Sequence, residues 1–180
     1  VNGGLDNETP APWDTVRVAQ ADALRGLVES LGPRYDGPIA YIGGPAGHGT
    51  SPVREKGFRD GMAAIGRPAE PAAITAADSF SFAGGRDALN RLLDTGPQPR
   101  LVVCANDLIA IGAMAAARDR GLGIPDDIAF SGYDNTDAAE LAVPPLTTVE
   151  AFANEQGRAC ARLLLDRVTG THSGPARHLT

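Results

Sequence analysis

Short apolar runs alternate along the chain with longer stretches in which apolar residues recur every third or fourth position. Pro38–Gly43 (PIAYIG), Arg100–Ala105 (RLVVCA) and Ile128–Tyr133 (IAFSGY) are brief, rich in β-branched or aromatic residues, and bounded by Gly, Pro or Asn. They predict buried strands, as does, more weakly, Asp14–Val18. Unbroken apolar strands of this kind belong to parallel sheets covered on both faces. Helical spacing appears between them, in Ala21, Leu24, Leu27, Val28 and Leu31; in Phe58, Met62 and Ile65; in Leu89, Leu92 and Leu93; and in Leu108, Ile111 and Ala115. Punctuation fits this alternation. Ser51-Pro52 reads as an N-cap followed by the first helical residue, Asp107 as the cap of the next helix, and Gly121 as a helix-ending glycine. Strand and helix in turn predict an open α/β sheet.

Beyond the last strong strand the pattern changes. Val143–Val149 (VPPLTTV) carries two prolines that forbid a helix, which predicts an extended segment crossing between two lobes. A helix is expected from about Glu150 to Val168, then a glycine-rich loop over Gly170–Pro175, then the start of a strand at His178–Thr180.

Composition narrows the function classes. The 180 residues include 16 Lys+Arg and 22 Asp+Glu, a formal charge of −6, which argues against a nucleic-acid-gripping surface within this chain. Apolar residues at 43% and charged residues at 21% are globular values, so a real core is expected. No apolar run approaches the ~18 residues needed to span a membrane, and a soluble chain is expected. Cys104 and Cys160 lack both C-x-x-C spacing and neighbouring histidines, so they read as small hydrophobes, with no metal site or cofactor implied.

Three features carry candidate chemistry. Gly44–Ser51 (GPAGHGTS) follows a strand and opens a helix like a phosphate loop, but Thr50 stands where the phosphate-binding lysine belongs, which excludes nucleotide hydrolysis. The loop, ending at Ser51, still offers helix N-terminal N–H groups at the carboxyl edge of a strand, where ligands bind in open α/β sheets. Asn106 and Asp134 are each the first strongly polar residue beyond a strand's carboxyl end. An amide that donates and accepts beside a carboxylate that accepts hydroxyl protons suits vicinal hydroxyls. Equally, the two side chains serve as caps of the next helix or turn. Arg54, early in the helix after the loop, either turns its guanidinium to the same edge or stays solvated. Phe80, ahead of the third helix, either stacks on a ligand or staples that helix. No nucleophile, base and orienting group are set out at strand ends, which favours binding without catalysis.

Taken in order, A-N-D at 105–107, G-L-G-I-P-D-D-I at 121–128, G-Y-D at 132–134 and P-P-L-T-T at 144–148 resemble the C-terminal half of LacI/GalR-type transcriptional repressors, whose effector domain is similar to periplasmic sugar-binding proteins. IAYIGGP followed by R-E-K-G-F, and Val1-Asn2 as the end of a first-lobe strand, extend the resemblance over essentially the whole chain. It implies a two-lobed fold of open parallel sheets: 1–36 plus 148–169 as part of the N-terminal lobe, 37–147 as the C-terminal lobe, and 170–180 as a return strand. A helix-turn-helix headpiece, its hinge helix and two further βα units are expected before Val1.

The same resemblance places Arg54, Asn106 and Asp134 in an effector cleft, with Phe80 as a stacking ring and Ser51 beside them. It implies a cytoplasmic regulator that takes a small sugar-like effector and meets operator DNA only through the headpiece. It also implies a homodimer through the helix at 107–120 and the segment at 138–143. Three departures stand out: the family's acidic D-N pair is replaced around Val16–Gln20, Glu150-Ala151 follows T-T-V, and Tyr35-Asp36-Gly37 lengthens the connection into the second lobe. The alternative is a secreted sugar-binding protein of a transporter. An α/β enzyme is a more distant third.

Overall fold

The computed structural model describes residues 12–180, so Val1-Asn2 lies outside the described residues. The chain divides into two compact units: Gln20–Glu150, and the described residues up to Ala19 together with Ala151–Thr180.

In the larger unit α1 (Gln20–Leu31) leads into β2 (Ile39–Gly43), α2 (Thr50–Ala64), β3 (Ile74–Ala76), α3 (Phe82–Thr95), β4 (Leu101–Cys104), α4 (Asp107–Asp119), β5 (Ala129–Ser131) and the short α5 (Asp137–Leu141); β1 (Thr15–Val16) belongs to the smaller unit. The four strands pair in the order β3-β2-β4-β5, all parallel. Every residue of β2, β4 and β5 is buried, the polar Ser131 included, as expected of a parallel sheet with helices over both faces. α1 packs against α2, and α3 against α4, as right-handed crossovers in this strand order require of α3 and α4.

The helices pair through glycines. A Cβ on Gly57 would stand 2.4 Å from the Ala21 carbonyl oxygen, and one on Gly61 2.7 Å from Val28 Cβ, so α1 and α2 meet closely. Between α3 and α4 the approach is tighter still: a Cβ on Gly85 would be 2.0 Å from the Ile109 carbonyl oxygen, and one on Gly112 1.9 Å from that of Phe82. Tyr41 of β2 stacks on Phe58 of α2 with ring centroids 5.0 Å apart. Cys104 is fully buried and burial pushes its thiol pKa up, which suits the small hydrophobe expected.

The open edge of β5 is covered by the segment with the two prolines. Gly132 donates its N–H to Thr147 at 2.8 Å and Asp134 to Val149 at 2.9 Å, with parallel bridges at Ser131–Thr147 and Asp134–Glu150. An extended segment of this composition protects a sheet edge that would otherwise present unpaired backbone groups.

In the smaller unit, β1 pairs in parallel with β6 (His178–Leu179), the expected return strand, and α6 (Ala153–Val168) lies between them in sequence. Asp14 accepts from Arg167 at 2.6 and 3.0 Å, from Arg177 Nη2 at 3.1 Å and from the Arg177 N–H at 2.8 Å, while Arg177 also bonds Asp166.

Several expectations change. The lobe boundary expected at 36 falls at Ala19, because the apolar stripe of α1 buries Leu24 and Val28 in the larger unit, against the glycine face of α2. Ser51 is not an N-cap: α2 begins at Thr50 after Gly49. Asp107 is not the cap of α4, since Asn106 caps it. Strand β3 and helix α5 are too short to show a period, so the spacing does not predict them.

Candidate functional site

The carboxyl ends of β2, β4 and β5 lie side by side, so the residues that follow them gather at one edge of the larger unit. Arg54 is the fifth residue of α2 and only 8% exposed. Its Nε donates to Gln20 Oε1 at 2.8 Å, its Nη1 to the Ala105 carbonyl, and its Nη2 to Asp134 Oδ1 at 3.3 Å. The guanidinium carbon sits 3.9 Å from the centroid of the Tyr133 ring. A buried arginine is tolerable when its fork is bonded and its charge lies over an aromatic face, and both conditions hold. The solvated alternative for Arg54 is therefore set aside.

Asn106 does two things at once. Its Oδ1 accepts the Ile109 N–H at 2.9 Å, the capping role, while its Nδ2 makes no hydrogen bond to any described residue. The side chain is thus held by the helix it caps, with its donor end still available. Asp134 adopts φ 109°, a conformation costly for a residue with a Cβ, and its side chain is one-third exposed. Burial raises its carboxyl pKa above the ordinary value; Arg54 opposes the rise and the charge of Asp107 adds to it.

Ser51 and Phe80 meet around a different point, Gly44. A Cβ there would fall 2.2 Å from Phe80 Cζ and 2.8 Å from Ser51 Oγ, so only glycine admits both. Ser51 donates its hydroxyl to the Pro45 carbonyl at 2.9 Å, and His48 packs edge-on to Phe80 with centroids 5.0 Å apart. Ser51 and Arg54 stand one turn apart on α2, which makes the two groups neighbours along one helix face. Ser81, the residue after Phe80, caps α3 by accepting from the Gly84 N–H.

Local sequence pattern does not single out Gln20, Tyr133 or Asp107 as site residues. Asp107 is fully buried and accepts from the Thr136 N–H at 2.7 Å, Thr136 Oγ1 at 3.0 Å and Thr148 Oγ1 at 2.5 Å. Only the aromatic of G-Y-D, next to a candidate carboxylate, carried a signal in the sequence; Gln20 and Asp107 find their partners 34 and 29 to 41 residues away. Among the described residues no group of His, Cys, Asp and Glu is arranged to hold a metal ion.

This edge thus sets a bonded guanidinium beside a carboxylate and an amide whose Nδ2 has no partner among the described residues. The profile of the periplasmic binding protein-like domain matches residues 38–180. The chain is 33% identical over 165 residues to the HTH-type transcriptional repressor CytR of Escherichia coli (strain K12), covering 92% of this chain and 48% of that protein. It is 36% identical over 139 residues to the HTH-type transcriptional regulator CelR of Thermobifida fusca, covering 77% of this chain and 41% of that protein. The structure of the transcriptional regulator CelR–cellobiose complex superposes with a TM-score of 0.88 at 30% identity, over 98% of this chain and 54% of that one. The chain thus spans about half the length of these relatives. The parallel strand order and these likenesses together establish that the chain belongs to the periplasmic-binding-protein-like family.

Proposed function

We infer that this domain binds a small sugar-like effector through Arg54, Asn106 and Asp134, with Phe80 and Ser51 at the side of the same site, and acts by linkage and not by catalysis. The observation that carries this is the Arg54–Asp134 pair over Tyr133 beside the free Asn106 amide: a prearranged donor and acceptor set with no reacting group. Binding would favour one domain arrangement and change the operator affinity of a DNA-binding headpiece by the difference in binding energy between the two states. The whole protein would work in the cytoplasm as a homodimer. Support for pairing through α4 and 138–143 comes from Leu108, Leu141 and Val143, which are 42%, 78% and 76% exposed. Apolar groups so placed favour a partner surface. The relatives' names favour a regulator over the transporter protein that shares the fold.

The test is operator binding by the native full-length protein, measured by fluorescence anisotropy across a panel that includes cellobiose, hexoses, pentoses and nucleosides. One panel member should change operator affinity. Asn106→Ala and Asp134→Ala should each weaken that member's binding by about 1–3 kcal/mol, the range for hydrogen bonds that partly involve a charge. No response from any member, or unchanged binding in both variants, overturns the assignment.

A further inference from the structure

Asp107 has no exposed surface, yet three of its hydrogen bonds reach the residues on either side of Asp134 and a fourth reaches Thr148. Its N–H donates to the Tyr133 carbonyl at 2.9 Å. Its Oδ2 accepts the N–H and hydroxyl of Thr136, and its Oδ1 accepts the hydroxyl of Thr148. Between Tyr133 and Thr136 the backbone runs through two residues at positive φ, Asp134 at 109° and Asn135 at 51°. Such a turn is unfavourable for residues with side chains and persists only where its surroundings hold it. Thr148 lies in the crossing segment, whose Val149 carbonyl accepts the Asp134 N–H. Opposite the carboxylate, Gly132 leaves the space: a Cβ there would stand 2.3 Å from Asp107 Oδ1.

A buried carboxylate is costly unless each oxygen is bonded, and here every donor it uses belongs to the turn or to the crossing segment. We propose that Asp107 is a positioning residue, which holds the strained Tyr133–Thr136 turn and clamps it to Thr148, and thereby aims the Asp134 carboxylate at Arg54 and at the effector. This rests on Asp134 being an effector ligand, but the positioning itself is a property of the unliganded domain. The conservative amide has the same shape as the carboxylate; it offers one accepting oxygen in place of two and puts a donor against the Thr hydroxyls or the Thr136 N–H.

Nuclear magnetic resonance on the 15N-labelled chain tests it without any ligand. In Asp107→Asn, amide exchange at Gly132, Asp134 and Thr136 should accelerate at least tenfold, and the Arg54 Nε–H resonance should shift or broaden as its pairing with Asp134 loosens. Exchange at Ile42 and Val103 of the central strands should be unchanged. Thr148→Val removes one hydroxyl bond and should give a smaller change of the same pattern; it decides the matter if Asp107→Asn does not fold. Leu92→Ala, a core change in α3, controls for lowered stability and should leave the Arg54 signal in place. An unshifted Arg54 signal and unchanged exchange at 132–136 in both Asp107→Asn and Thr148→Val overturn the proposal. So does the same Arg54 shift in Leu92→Ala. Cellobiose titrations read the second half: if cellobiose binds the parent chain, Asp107→Asn should bind it at least tenfold more weakly. Failure of cellobiose to bind the parent chain counts against the choice of effector and leaves the exchange result to decide the role of Asp107.

Discussion

The two units are held by different forces, and two carboxylates show it. In the larger unit Asp134 has its carboxyl pKa raised, because burial outweighs the attraction of Arg54. In the smaller unit Asp14 is held well below the usual carboxylate range by the hydrogen bonds of Arg167 and Arg177. The larger unit stacks fully buried strands between helices that meet backbone to backbone. In the smaller one α6 buries only Leu163, leaving Leu164, Leu165 and Val168 exposed, and the two-residue strands β1 and β6 are joined by the Asp14–Arg167–Arg177–Asp166 network. Close packing makes the larger unit intolerant of added volume, whereas charge pairing makes the smaller one sensitive to pH.

Trp13, the only tryptophan, reports on the smaller unit, while the buried rings of Tyr41 and Tyr133 report on the larger. The strongest break should come from Gly112→Val. An alanine in a helix interior gains about 1 kcal/mol over glycine, and valine rather less, but a Cβ 1.9 Å from the Phe82 carbonyl oxygen must push α3 from α4. Overpacking of this degree should cost at least ~3 kcal/mol, read as a drop in the urea midpoint of the tyrosine near-ultraviolet signal. A stability change under 1 kcal/mol would mean that the helices separate freely.

Acid should separate the units next. A carboxylate with a depressed folded pKa contributes stability that is fully present above its unfolded value, near ~4, and is lost as pH falls from there toward the folded value. Trp13 emission should therefore change on acidification below that point while the tyrosine signal persists. Asp14→Ala should show the altered emission already at neutral pH; coincident acid transitions of both probes would contradict this. Asp134 has the opposite sign. Its raised pKa means that protonation is favoured in the folded state, so acidification costs the larger unit nothing at this group but, on the proposed reading, removes an acceptor for an effector hydroxyl. Affinity for the effector should begin to fall above the pH at which an ordinary aspartate protonates, and Asp134→Asn should flatten that profile in isothermal titration. The smallest effect belongs to Lys56→Ala, which removes an exposed pair with Asp60 one helical turn away and should change stability by at most ~0.5 kcal/mol.

Much of this was legible in one dimension. The three buried strands, the helices between them and the carboxyl-edge positions of Asn106 and Asp134 follow from local period and punctuation, which act over a few residues. The lobe boundary did not follow, because α1 carries the same stripe whichever unit it packs in. Local pattern suggests Ser51 and Asp107 as caps, but the N-cap positions are Gly49 and Asn106, since a cap depends on which N–H groups are left open by one residue more or less. Phe80 and Ser51 were separate candidates in the sequence and share one glycine, Gly44, in the fold.

By itself, then, the sequence determined the class of fold, the strands of the core and the polar residues at their ends, because side-chain period and strand termini are local properties. Tertiary structure alone decided that Arg54 is buried and bonded to Gln20, Ala105 and Asp134, and that Asp107 joins Thr136 to Thr148. Partners 29 to 80 residues apart meet only once the parallel crossovers have stacked the strand ends, and no local preference encodes that distance.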